Sequence, residues 1–333
     1  MALLRALIGT ARMLKHTRHL ALGLPADDEM LLDAPDDRLA PALVAAGRDD
    51  YESAAQLLAA TREEAAWESR DLYSRRLAAF ARSRPDWFER WLADRPQDPD
   101  ALLVKAELAL ARAWESPAYA ELLRDAAPLI GAASAAGHPR DPVPWRLALD
   151  HARGTHASRG VFDALWQEAT SRASHHYGCH TSAVQYLSAA WYGSHRECFD
   201  FAERAAEDAL PGSLIHALPA RAALAYLTGP GSSVPRARLD AAADRAIVLS
   251  AAYEAGDPYP AEVRNVLTYV LIRLERWQDA LEQLRLIGAQ ATSFPWDRIS
   301  DDPLGQFLEL RDGVRLEVAS ATPLRARRTP GGH

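Results

Sequence analysis

Little in this sequence points to sheet, to membrane or to a disulfide framework. Runs of alternating Val, Ile, Thr and aromatic residues, the mark of half-buried strands, are nearly absent. Two cysteines in 333 residues, Cys179 and Cys198, cannot staple a fold, and a reducing cytoplasm is the expected compartment. The longest apolar runs stop well short of the roughly 20 residues that span a bilayer. Lysine is almost missing, with only Lys15 and Lys105 beside many arginines. Together with abundant alanine, that usage suits a GC-rich, actinobacterial genome and carries no mechanism. The net charge of −7 argues against a nucleic-acid partner, which would need a broad basic face to displace counterions from phosphate. Catalytic signatures are missing as well. The sequence has no Gly-x-Ser-x-Gly elbow, phosphate-binding Gly-rich loop, dinucleotide fingerprint or His-Glu-x-x-His zinc motif.

What the chain does have is helical periodicity, so the expected fold class is all-α, an α-solenoid of antiparallel helix pairs. Apolar residues at three- and four-residue spacing predict helices over 39–46, 50–60, 63–82, 85–93, 99–113, 118–134, 160–173, 177–191, 195–209, 213–227, 236–254, 260–274, 277–289 and 302–319. Breaks fall at Arg95-Pro96-Gln97-Asp98-Pro99, Gly137-His138-Pro139, Gly229-Pro230-Gly231 and Gly256-Asp257-Pro258. The proline-rich stretch 139–144 is either a long turn or a joint between two blocks. Residues 1–26, which hold Arg5, Arg12, Lys15 and Arg18 and no acidic residue, are expected to form a basic helix capping the end of a solenoid; a helix lying on an anionic membrane is the alternative. Residues 27–38 suit an acidic linker, 39–320 the helical repeats, and 321–333 a disordered tail.

One turn pattern recurs. Asp49-Asp50-Tyr51-Glu52-Ser53-Ala54, Gly193-Ser194-His195-Arg196-Glu197-Cys198 and Glu275-Arg276-Trp277-Gln278-Asp279-Ala280 each carry a ring, two polar residues and then a small residue. This resembles the turn and second helix of a tetratricopeptide repeat, where the small residue lets paired helices approach closely. Ala54, Cys198 and Ala280 lie 144 and 82 residues apart, about four and two repeats of ~34–41 residues. The first helices lack the small residue of the repeat's Leu-Gly pair, so the repeats are degenerate. The clearest copy spans 262–289, with Val266, Tyr269, Val270, Leu274, Ala280, Leu281, Leu284 and Ile287 as its core. The stretch around Pro144-Trp145, Leu165-Trp166, Trp191-Tyr192-Gly193-Ser194 and Phe199-Asp200-Phe201-Ala202 is similar to a bacterial helical family of unknown function with a Trp-x-Gly-Ser turn. That resemblance implies a helical fold and no activity.

Chemistry-bearing residues concentrate in one region. Eight of the eleven histidines (His138, His151, His156, His175, His176, His180, His195 and His216) and both cysteines fall between residues 138 and 216. His176 and His180 stand four apart on one predicted helix, a spacing that lets two imidazoles share a divalent metal. No four-ligand set with zinc spacing completes such a site, and ordinary core or surface histidines are the alternative. Cys179 with His180 or His176 would make a nucleophile and base only if the geometry joined them.

Two functional readings follow. The first is an interaction protein holding a peptide or protein partner in the concave groove of the solenoid. Arg221, Arg264 and Asn265 on first helices would contact its carboxylates or amides, and Tyr269 lies on the same helix as the last two. The second is a ligand- or metal-binding enzyme of bacterial metabolism, with a pocket around His176, His180, Trp191 and His195. Trp145, Trp166 and Tyr226 would be its apolar walls. Histidines converging on one pocket would favour the second reading; histidines on separate faces would favour the first.

Overall fold

The computed structural model describes residues 23–230 and 234–321. Most of the expected capping helix and nearly all of the expected tail lie outside these residues. Among the described residues the chain forms fifteen α-helices and one pairing of two-residue strands, so it is all-α. No described helix is long and apolar enough to cross a membrane.

The chain divides into two compact units. A large unit spans Pro35–Arg236, and a small unit combines Met1–Ala34 with Ala237–His333. The large unit contains α1 (Leu39–Ala46), α2 (Glu52–Glu63), α3 (Trp67–Ser83), α4 (Asp86–Asp94), α5 (Pro99–Glu115), α6 (Tyr119–Ala136), α7 (Val143–Gly154), α8 (Arg159–Arg172), α9 (Tyr177–Tyr186), α10 (His195–Glu207) and α11 (Leu218–Thr228). Most helices pack on the next in sequence. The odd-numbered helices also form a ladder, in which α1, α3, α5, α7, α9 and α11 each pack on the next odd helix. Apolar cores lie along it: Leu39, Leu58, Leu77, Trp87 and Trp91 in one cluster, Leu103, Leu123 and Val143 in a second, Leu149, Phe162 and Tyr186 in a third.

The small unit holds α12 (Arg236–Ser250, all but its first residue), α13 (Ala261–Arg273), α14 (Trp277–Ile287) and α15 (Pro303–Ala321). Leu31 and Leu32, in the stretch expected to be a linker, pair in parallel with Gln290 and Ala291. The Asp33 carboxylate accepts the Ser293 amide at 3.0 Å. The core expected for 262–289 is buried in full: Val266, Tyr269, Val270, Leu274, Ala280, Leu281, Leu284 and Ile287.

Two of the three copies of the recurring turn, those at Asp49 and Glu275, share one backbone closure with the turns at Ala65 and His156. Asp49, Ala65, His156 and Glu275 adopt left-handed φ values of 62°, 54°, 58° and 56°. Each sits just beyond a helix, and each donates with its successor to the last turn, as Asp49 does to the Ala46 carbonyl and Asp50 to that of Ala45. This is the Schellman closure, which satisfies helix-end carbonyls and reverses the chain. The small residues Ala54, Cys198 and Ala280 of the recurring pattern are all buried, at the start of α2, α10 and α14.

The largest departure from the periodicity is α7. It occupies 143–154, overlapping the end of the turn or joint expected at 139–144 and filling a stretch where the periodicity predicts no helix. Pro142 and Pro144 sit at its N-terminal end, where a missing N–H costs nothing, and Asp141 accepts the Val143 amide at 2.9 Å.

Candidate functional site

The ladder helices carry charge into the interior of the large unit. Buried positions of α3 run Arg70, Asp71, Tyr73, Ser74, Leu77, Ala78 and Ala81. An Arg-Asp pair therefore takes the first core positions of a stripe that is apolar further along. The Arg70 guanidinium donates to Asp141 at 2.6 Å and to the Leu58 carbonyl at 2.9 Å, and pairs with Asp100 at 2.7 Å. Asp71 pairs with Arg146 at 2.8 Å, and Arg146 also meets Glu107 and Asp150. These partners lie on α5, α7 and the turn before α7, so α7 completes the network.

Two buried guanidiniums, Arg70 and Arg146, thus face four buried carboxyls: Asp71, Asp100, Asp141 and Glu107. Arg62 and Arg75 reach Asp100 and Asp71 from more exposed positions. Burial pushes the Asp71 carboxyl up, but Arg146, Arg75 and His176 outweigh it and hold it at about 2. For Glu107 burial wins over Arg146, and its carboxyl is raised. Asp100 is raised for the same reason. Neighbouring carboxyls add to the rise, Asp71 for Glu107 and Asp98 for Asp100.

A cleft of about 470 Å³ opens beside this network. Residues 65–69, at the turn into α3, form one side, and residues 172–176, from the end of α8 to the start of α9, form the other. Trp67 contributes an apolar wall, and its ring lies 5.9 Å from that of His138. Arg172 is held by Glu168 at 2.6 Å and stacks over Trp145 at 4.2 Å. His176 caps α9: its Nδ1 accepts the Cys179 amide at 3.2 Å and lies 3.2 Å from the Cys179 sulfur. Its Nε2 is buried and has no hydrogen-bond partner; Glu68 Oε2 stands 3.7 Å away. Glu68 Oε1 accepts the Tyr177 amide at 2.7 Å. Burial raises the Glu68 carboxyl, while His176 and the Tyr177 amide act against the rise.

The histidine-rich region has a mainly architectural explanation. His151, His175, His180, His195 and His216 each bond through a ring nitrogen to a main-chain carbonyl, of Leu123, Asp208, His176, Pro230 and Leu210 respectively, at 2.8 to 3.1 Å. His180 is further enclosed by Trp166, whose ring is edge-on at 5.0 Å, and burial lowers its pKa to about 4. The His176 and His180 rings are thus bonded along α9 itself, and no group of three or more His, Cys, Asp or Glu among the described residues could hold a metal ion. The Cys179 thiol is pushed well up by burial, with Asp71 adding to the effect, so it stays protonated and a poor nucleophile.

Of His176, His180, Trp191 and His195, only His176 lines the cleft. Trp191 stacks with Arg153 at 4.8 Å and sits edge-on to Trp114. Trp145 and Trp166 pack against the third core cluster. His195 sits edge-on to Tyr226 at 5.0 Å, and Arg221 is buried in α11. In the small unit all five donors of Arg264 are used: by the Ser250 hydroxyl and the carbonyls of Ser250, Tyr253, Glu254 and Leu286. Asn265 bonds Ala261, Gln290 and the Trp296 indole, and the Tyr269 hydroxyl accepts from Arg273 at 3.0 Å.

Trp67 and Glu68, which line the cleft, and Arg70, Asp71, Asp141 and Arg146 of the neighbouring network carried a signal that spacing alone passes over. Ala65-Ala66-Trp67-Glu68-Ser69-Arg70 is the recurring turn pattern again, with Arg70 where the other copies have a small residue. Chemically, the arrangement offers an aromatic wall beside a partly exposed carboxylate. No family model, curated protein or solved structure matches the chain.

Proposed function

We propose that this protein is an interaction module. In this reading the large unit is a solenoid of degenerate tetratricopeptide-like helix pairs, working in the cytoplasm, and its cleft at the start of α3 receives a peptide segment of a protein partner. The odd-helix ladder supports the repeat reading, because helices that pack on both the next and the next-but-one generate the extended surfaces on which solenoids bind. The observation that carries the binding reading is the cleft itself. It is open, about 470 Å³ in volume, and lined by Trp67 together with Glu68, Ser69, Arg172, Ser174 and His175. A tryptophan beside polar groups is the usual chemistry of a peptide anchor.

The test is a photo-crosslinking amino acid placed at Ser69, inside the cleft, and at Val161, half exposed on α8 outside it, in the living source cell. The expected outcome is a discrete protein adduct from position 69 and none from 161. No adduct from position 69, or the same adducts from both, contradicts the reading.

A further inference from the structure

The recurring turn pattern shows which group would complete the cleft. In the copy at 49–54, Tyr51 and Glu52 follow one another at the start of α2, and one guanidinium serves both. Arg95 stands over the Tyr51 ring at 5.4 Å and pairs with Glu52 at 2.7 Å. In the copy at 65–70, Trp67 and Glu68 take the same two places at the start of α3, and both line the cleft. Among the described residues no arginine stands over Trp67 and none pairs with Glu68. Glu68 is nevertheless fixed and reachable. Its Oε1 accepts the Tyr177 amide at 2.7 Å, its side chain is 32% exposed, and Oε2 takes no hydrogen bond and is not buried.

We infer that the cleft recognises a guanidinium, the end of an arginine side chain in the bound segment. Its edge donates to Glu68 Oε2 and its face covers the Trp67 ring, as Arg95 does for Glu52 and Tyr51. The chain builds the same combination around two of its other arginines. Arg172 lies over Trp145 at 4.2 Å and is held by Glu168 at 2.6 Å. Arg153 lies over Trp114 at 4.3 Å and Trp191 at 4.8 Å, with Asp150 at 3.7 Å. An anion fits poorly, because the remaining cleft donors are committed: Arg172 to Glu168, and His175 to the Ser174 hydroxyl and the Asp208 carbonyl. A neutral donor can meet Oε2 but not its charge. Burial raises the Glu68 carboxyl, a penalty on the charged form that a cation offsets best. An ammonium matches the charge, yet it has no flat face for the ring and holds its water more tightly.

This inference rests on the cleft being the binding site and adds the group that it reads. Its test uses the full 15N-labelled chain and follows the Tyr177 backbone amide, which Glu68 accepts. The probes are N-acetyl-argininamide, N-acetyl-lysinamide and N-acetyl-citrullinamide, the last with the shape of arginine and no charge. The expected result is a saturable shift with the arginine probe, roughly tenfold weaker or more with citrulline and weaker also with lysine. The Val161 amide, outside the cleft, should not move. Glu68→Gln keeps a carbonyl oxygen for the Tyr177 amide and loses the charge. It is expected to weaken the arginine probe by about tenfold or more, with circular dichroism unchanged. Trp67→Leu should weaken it as well, through loss of the ring face. No saturable shift, equal response to arginine and either other probe, or full binding by both variants overturns the inference. A partner crosslinked from position 69 whose binding is untouched by both variants overturns the guanidinium and leaves the interaction reading standing. Probe binding at the cleft without any partner adduct does the reverse.

Discussion

At the scale of single residues, this chain uses buried polar side chains as fasteners. Arg264 is the clearest case: fully buried, it meets no carboxylate and instead gives all five of its N–H groups to a hydroxyl and to helix-end carbonyls. Lysine offers three donors on a longer, less rigid stem. Arg264→Lys is therefore expected to lower stability by about 2–4 kcal/mol in urea unfolding, since it leaves buried acceptors unpaired. A change within experimental error would mean that water replaces the guanidinium freely. His180 makes a pH prediction. Its folded pKa of about 4 lies below the ordinary 6.5, so between these values the unfolded chain binds more protons and stability rises with pH. The gain across that window is on the order of 3 kcal/mol at most. His180→Phe should flatten this part of the stability curve, and a slope that persists would assign it to another group. Asp71 acts lower on the scale: its pKa of about 2 against the ordinary 3.8 means that its contribution is present above pH 4 and is lost as pH falls through 2.

At the scale of elements, α7 and α9 decide whether a site exists. α7 brings Arg146 to Asp71 and Glu107. Removing one partner of a buried pair strands the others, so Arg146→Met is expected to cost about 3–5 kcal/mol in the same measurement. At Gly178 a Cβ would stand 2.4 Å from Asp71 Oδ2, a carboxylate that Arg146 holds in place. Gly178→Ala should destabilise the protein although alanine is the better helix former; a stabilised variant would show that Asp71 can move aside. Sequence periodicity identified most of these helices because their apolar stripes are regular. It passed over α7 because prolines at a helix start look the same in sequence as prolines in a loop. It also extended α9 to 191, whereas the helix ends at Tyr186 and tight turns follow. There a Cβ on Gly193 would meet the Leu187 carbonyl at 2.1 Å. Of the histidine-rich region, His175 and His176 line the cleft, and most of its rings serve main-chain carbonyls. The network at Arg70 and Asp71 was hidden because a hydrophobic period counts charged residues as surface, whereas these occupy core positions.

At the scale of the whole molecule, the chain is an all-α protein of two units, and the large unit combines a repeating ladder with one interruption of its pattern. Three copies of the recurring turn bury a small residue. The copy at 65–70 buries Arg70 instead, and the cleft opens beside that copy. An arginine where three copies of the turn pattern bury a small residue, surrounded by costly buried charge, is where the proposed binding site is expected. The fold class was therefore legible in the sequence, and the site only as an exception to the repeat. The most direct measurement is the affinity of the partner segment captured from position 69, titrated against the wild-type chain, Trp67→Arg in the cleft and Val248→Arg at an exposed position of the small unit. The account predicts at least a tenfold loss for Trp67→Arg with Val248→Arg unchanged. Equal affinity for all three proteins would contradict it.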